Sequence, residues 1–124
     1  MNDIIVKKNR EKAFVVFCTL QDIDPVTFRT SDNEAELYTM GYRTADFYVY
    51  DLSAKEIVIS KTGIAITALM KGSIPLTLTM ADTNLEVGTH YAYEVNLIKE
   101  SSDKKPTTPI KGKLSVSDVI MIYT

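Results

Sequence analysis

Apolar and polar residues alternate along most of this chain with a period of two. In "SIPLTLTM" Ile74, Leu76, Leu78 and Met80 fall on one face, with Ser73, Pro75, Thr77 and Thr79 on the other. That is the pattern of a strand with one side in a core and one in water. In "THYAYEVNLIKE" the residues Tyr91, Tyr93, Val95 and Leu97 share a face, opposite His90, Ala92, Glu94, Asn96 and Ile98. The same alternation predicts strands at Ile4 to Lys8, Ala13 to Gln21, Thr44 to Asp51, Glu56 to Lys61, Ile64 to Met70, Ser73 to Met80, Thr89 to Glu100 and Ile110 to Tyr123. "DLSAKE", "KTG" and "MKGS" supply turns, with Gly63, Gly72 and Gly88 where a positive φ costs little. Pro75 marks its strand as an edge or a bulge.

Strands of this length joined by short turns, with no sustained helical period, predict an all-β antiparallel sandwich of about seven to nine strands. A small closed barrel is the competing architecture. Two segments fall outside the pattern. "NEAELYTM" reads either as one or two turns of helix capped by Ser31 or Asp32 or as a weak strand, and the preferred expectation is a short helix or irregular insertion near residues 30–43. "ESSDKKPTTPIKG" predicts an exposed hairpin loop, because Pro106 and Pro109 withhold backbone donors and the charges favour water.

Length and composition then narrow the role. With 124 residues, 45% hydrophobic and 24% charged, the chain suits one domain, 1–124, able to bury a core without disulfide or metal. Fourteen basic against 16 acidic residues leave a net charge of -2. No basic excess is present to displace the counterions of a nucleic acid. The N-terminal "MNDIIVKKNREKAF" holds only a short apolar run, and no stretch approaches the length of a membrane span. The expectation is a protein made in the cytoplasm with no signal peptide or transmembrane segment.

Candidate chemistry is sparse. Cys18, the single cysteine, sits in the apolar run "AFVVFCTL", the setting of a buried thiol rather than a nucleophile. His90, the single histidine, is placed on the outer face of its strand, with no Gly-x-Ser-x-Gly elbow in the sequence to complete a triad. "QDIDP" and "SDNEAE" offer Asp22, Asp24, Asp32, Glu34 and Glu36, without the spacing of a calcium loop. These residues assign no catalytic group, no cofactor and no metal.

Leu85-Glu86-Val87-Gly88-Thr89-His90-Tyr91 resembles the corner that precedes the sixth strand of fibronectin type III and related immunoglobulin-like domains, with Val87 where that pattern has proline. The resemblance implies a tyrosine corner in which Leu85 and Gly88 shape the turn and the Tyr91 hydroxyl bonds to upstream backbone. Over roughly residues 44–119, "ADFYVYD", "GIAITALMKGSIPLTLTMADTNLEVGTHYAYEV" and "GKLSVSDV" resemble the immunoglobulin-like domains of tailed-bacteriophage structural proteins, including the N-terminal domain of phage baseplate upper proteins. Asp82, Thr83, Leu85, Gly88, Tyr91, Tyr93, Val95, Gly112, Leu114 and Val116 carry the likeness; "SDNEAELYTMGY" departs from it.

That resemblance implies a non-enzymatic virion structural protein. With no second domain to bridge tail parts, the expectation is an accessory (decoration) capsid protein, many copies of which bind the head shell through the β-sandwich. A baseplate, tail or fibre-attachment adaptor is the alternative, and a carbohydrate- or host-surface-binding module a further one. The partners are then other virion proteins, with no nucleic acid, membrane or small-molecule substrate. Candidate interface residues are Tyr48 and Tyr50, which alternate with Phe47 and Val49, and Met121 and Tyr123, from a terminal strand that is apolar on both faces. The competing reading has the "ELYTMGY" segment covering the Tyr48 and Tyr50 face.

Overall fold

In a computed structural model that describes residues 3–30, 32–99 and 107–117, the alternating segments form seven strands. These are β1 (Ile4–Lys7), β2 (Lys12–Phe17), β3 (Tyr42–Asp51), β4 (Glu56–Ala65), β5 (Ser73–Leu78), β6 (Tyr91–Lys99) and β7 (Thr107–Ser117). One sheet has the order β1-β7-β6-β3-β4 and the other pairs β2 with β5. Every pairing is antiparallel except β1 with β7. Ala45, Phe47 and Val49 of β3 and Tyr91, Tyr93, Val95 and Leu97 of β6 turn inward against Val16, Ile74, Leu76 and Leu78 of the small sheet. Phe14 of β2 meets Phe47 edge-on at 6.0 Å across the two layers, and Phe47 lies tilted 5.7 Å from Tyr93 within the larger sheet.

The strand order is that of an immunoglobulin-like sandwich, in which the first strand crosses to pair with the last and an extra strand, here β4, extends the central sheet. Several local expectations are corrected. "KTG" does not end a strand: β4 runs through Gly63 to Ala65, and Ala68–Met70 is a single 3-10 turn rather than part of another strand. A register shift between Ala45 and Phe47, with Asp46 Oδ1 accepting the Gly63 N–H at 2.9 Å, lets the long β4 follow β3 past that point. Met80 lies beyond the end of β5 and is 61% exposed, not core. β7 begins at Thr107, three residues before the expected start, and takes up Pro109 where the pairing with β6 shifts register between Val95 and Leu97.

The insertion is irregular rather than helical. The Ala35 N–H donates to the Cys18 carbonyl, Leu20 N–H to Asn33 and Leu37 N–H to Lys71, so this segment is tied to the chain just after β2 and just before β5, with an isolated bridge between Thr19 and Glu34. Ala35 and Leu37 are fully buried and Glu36 is exposed, an alternation that long-range backbone bonds enforce over helix propensity. The helix lies earlier, at α1 (Leu20–Ile23), inside the end of a predicted strand. Its signal is a capping box: the Thr19 hydroxyl accepts the Asp22 N–H, and Asp22 Oδ2 accepts the Thr19 N–H at 2.8 Å.

Candidate functional site

The corner before β6 and the outer face of the five-stranded sheet hold the candidate residues within the described chain. At the corner, Tyr91 opens β6 with 4% of its surface exposed, and its hydroxyl accepts the Glu86 N–H at 3.0 Å. That is tyrosine-corner geometry. Leu85 packs against the core and its carbonyl accepts from Lys8 Nζ at 2.7 Å. Gly88 has φ +85 with open space around it, so the backbone conformation, not crowding, is what calls for glycine. Thr83, fully buried, donates its hydroxyl to the Arg10 carbonyl at 2.8 Å and accepts the Arg10 N–H at 3.0 Å. The loop before β6 is thereby fastened to the β1–β2 turn. Asp82 ion-pairs with Lys61 at 2.6 Å and accepts the Thr79 N–H at 2.8 Å. Partial burial pushes its carboxyl up, and Lys61 and Thr79 more than offset this, holding it below the usual value.

On the outer face, Tyr48 and Tyr50 sit one strand repeat apart on β3, each half-buried, with ring centroids 6.4 Å apart. Strand register sets their neighbours: Glu94 of β6 lies opposite Tyr48, and Lys111 of β7 opposite Glu94, while Ala92 and then Lys113 lie beyond Tyr50. The Tyr50 hydroxyl donates to Glu94 and the Tyr48 hydroxyl to Asp46 at 3.4 Å. The Glu94 hydrogen bond, aided by desolvation and the carboxylate charge, pushes the Tyr50 phenol up to about 12. Desolvation first, then Asp46, also raises Tyr48. Both shifts favour the protonated phenol, the form that donates to a carboxylate. The hydroxyls bond to Asp46 and Glu94, and the result is an aromatic patch of two mutually tilted rings flanked by two acids and two lysines.

The "ELYTMGY" segment directs its backbone to Lys71 and to the start of β3. Leu37 and Tyr42 are buried there, and the Arg43 guanidinium stacks 3.8 Å over the Tyr38 ring. Met121 and Tyr123 lie outside the described residues. Glu94 and Asp46, which position the tyrosines, were not singled out from sequence. The strand alternation places Glu94 on the outer face, but its pairing with Tyr48 depends on a register that only the folded sheet fixes.

The remaining chemical candidates are scattered. His90 is exposed, and its carbonyl accepts from Leu52 N–H. Cys18 is fully buried and burial, reinforced by Asp22, pushes its thiol up to about 12. Asp24 accepts the N–H groups of Val26 and Thr27, and Glu34 accepts the Gly72 N–H at 2.9 Å, both local structural tasks. Gly72 is required for room rather than for a positive φ. A Cβ there would stand 2.5 Å from the Cys18 carbonyl oxygen and 2.7 Å from that of Ala35. Among the described residues no three His, Cys, Asp or Glu side chains converge on a metal-sized site, and no helix is long and apolar enough to cross a membrane.

No family model matches the chain, and no curated protein matches it. Among solved structures it is similar to the extracellular domain of mouse leukocyte-associated immunoglobulin-like receptor 1, in a strand-swapped dimer. The identity is 8%, covering 100% of this chain and 88% of that one, with a TM-score of 0.41. The assignment of the fold rests on the strand order, not on this overlap.

Proposed function

We propose that the chain is a non-enzymatic structural protein of a bacteriophage particle, an accessory protein that decorates the head shell through the outer face of its five-stranded sheet. The observation that carries a binding role is the Tyr48–Tyr50 patch. Tyr50 is held by its hydroxyl on Glu94, and Tyr48 lies beside it with a longer contact of 3.4 Å to Asp46. The Tyr50 ring in particular therefore has little side-chain freedom left to lose on contact. The likeness of "ADFYVYD", the Asp82–Thr83 corner and "GKLSVSDV" to phage structural domains supports the particle as the setting.

The test is stoichiometry. In purified particles the chain is expected to sediment with the heads at a fixed copy number comparable to that of the shell protein. A handful of copies per particle, recovered with tails, would replace decoration with the baseplate or tail adaptor. The same patch favours a second reading, since aromatic rings beside Glu94 and Lys111 also suit a sugar ring and its hydroxyls. Glycan binding by free monomer, together with absence from particles, would establish that reading instead.

A further inference from the structure

We propose that β2 is a docking edge, and that its occupant is β2 of a second copy of this chain, the two small sheets joining across a twofold axis into one four-stranded sheet. Among the described residues the sandwich leaves four strand edges open, and three of them are blunted. β5 carries Pro75 opposite Val15, β4 is kinked by register shifts and carries Lys61 and Glu56, and β1 is four residues long. These are the devices by which sheets prevent unwanted pairing. β2 has no proline and no bulge, and its one charge, Lys12, stands at its first residue, leaving Ala13 to Phe17 uncharged.

The backbone geometry specifies which groups are free. Cys18 N–H donates to the Gly72 carbonyl, in register with Phe17 opposite Ser73. Antiparallel pairing alternates, so the even-numbered residues of β2 bond to β5 and the N–H and C=O groups of Ala13, Val15 and Phe17 point to the open edge. Their side chains form the outward face of the strand: Val15 is 58% and Phe17 42% exposed. Across the gap Ile5 of β1 is 62% exposed, and a groove of about 290 Å³ runs between the two strands.

The strand is complementary to itself. With Val15 opposite the partner's Val15, Ala13 falls opposite Phe17 and Phe17 opposite Ala13, so a small side chain meets a large one on each side of the axis. All three outward-facing residues of each copy then find backbone partners, and Phe14 and Val16 meet on the inward face, continuing the core. A register shifted by two residues toward the start of the strand instead sets Glu11 against Phe17.

Sedimentation of the full chain across a concentration series tests this, together with Val15→Cys under mild oxidation. The expected results are a species of twice 13.9 kDa and a disulfide-linked dimer of Val15→Cys. The hydrogen-bonded pair at the axis brings the two Cα atoms to about 5.5 Å, within disulfide range. Wild-type protein, with Cys18 buried, should not cross-link. Val15→Lys, at an exposed position, should raise the dimer dissociation constant at least tenfold and leave thermal unfolding of the monomer unchanged. A wild-type chain that stays monomeric at every concentration would overturn the proposal. So would a dimer that survives Val15→Lys and fails to cross-link through Val15→Cys, which would place another segment or face at the interface.

Discussion

Tyr91→Phe removes one oxygen from the corner before β6 and leaves the ring in place. The lost contact is a single hydrogen bond, Glu86 N–H to the Tyr91 hydroxyl at 3.0 Å. A neutral intramolecular hydrogen bond contributes about 0.5–1.5 kcal/mol net, and more when a donor is left buried and unpaired. Glu86 is exposed, so water can take over its N–H, which places the loss near about 1 kcal/mol. For a chain of this size that is a drop in Tm of about 4 °C. Tyr91→Ala also empties ring volume from a site only 4% exposed and should cost about 3–5 kcal/mol. Urea unfolding followed by tyrosine fluorescence, usable because the chain has seven tyrosines and no tryptophan, reads both. The midpoint should move with m unchanged. Tyr48→Phe is the control, since its hydroxyl bond is longer, 3.4 Å, and half-exposed. A Tyr91→Phe protein as stable as wild type, or a loss no larger than that of Tyr48→Phe, would refute the corner as a stabilising bond.

Gly72→Ala should be among the most damaging single-methyl additions, at about 2–3 kcal/mol, because its Cβ would press on two backbone carbonyls that cannot rotate away; thermal unfolding measures it, and a neutral result would contradict the packing around Cys18. Tyr50 should ionise late in an alkaline ultraviolet titration, near pH 12, and Glu94→Gln should bring it back toward the ordinary phenol range. Its folded pKa is raised, so the associated stability is fully present below the unfolded value of about 10 and declines as pH rises toward 12. Unfolding midpoints measured across that alkaline window should fall more steeply for wild type than for Glu94→Gln.

Much of the sandwich was legible because its strands are one-sided. Ile74, Leu76 and Leu78, and Tyr91 through Leu97 at every second position, are buried as their alternation predicts. Met80 kept the alternation in sequence but lies past the last paired residue, where nothing defines an inward side. Residues 33–37 take the irregular form, one of the two expected of them, because bonds to Cys18, Leu20 and Lys71 override the local helix preference of Glu, Ala and Leu. Thr19 and Asp22 did carry a local signal for α1, overlooked because the preceding apolar run reads as strand. The tyrosine face was visible as a pair of rings; its carboxylate anchors were not, since the pairing of Glu94 with Tyr48 is a property of the assembled sheet.

The most direct test of the proposed role is competitive incorporation into particles. Equal amounts of wild-type chain and Tyr48→Ala/Tyr50→Ala, with matched thermal stability verified beforehand, are offered to heads stripped of the protein, and bound material is quantified. Preferential uptake of wild type by tenfold or more is the predicted result. Equal incorporation of the two would contradict the assignment of the tyrosine face as the surface that meets the shell.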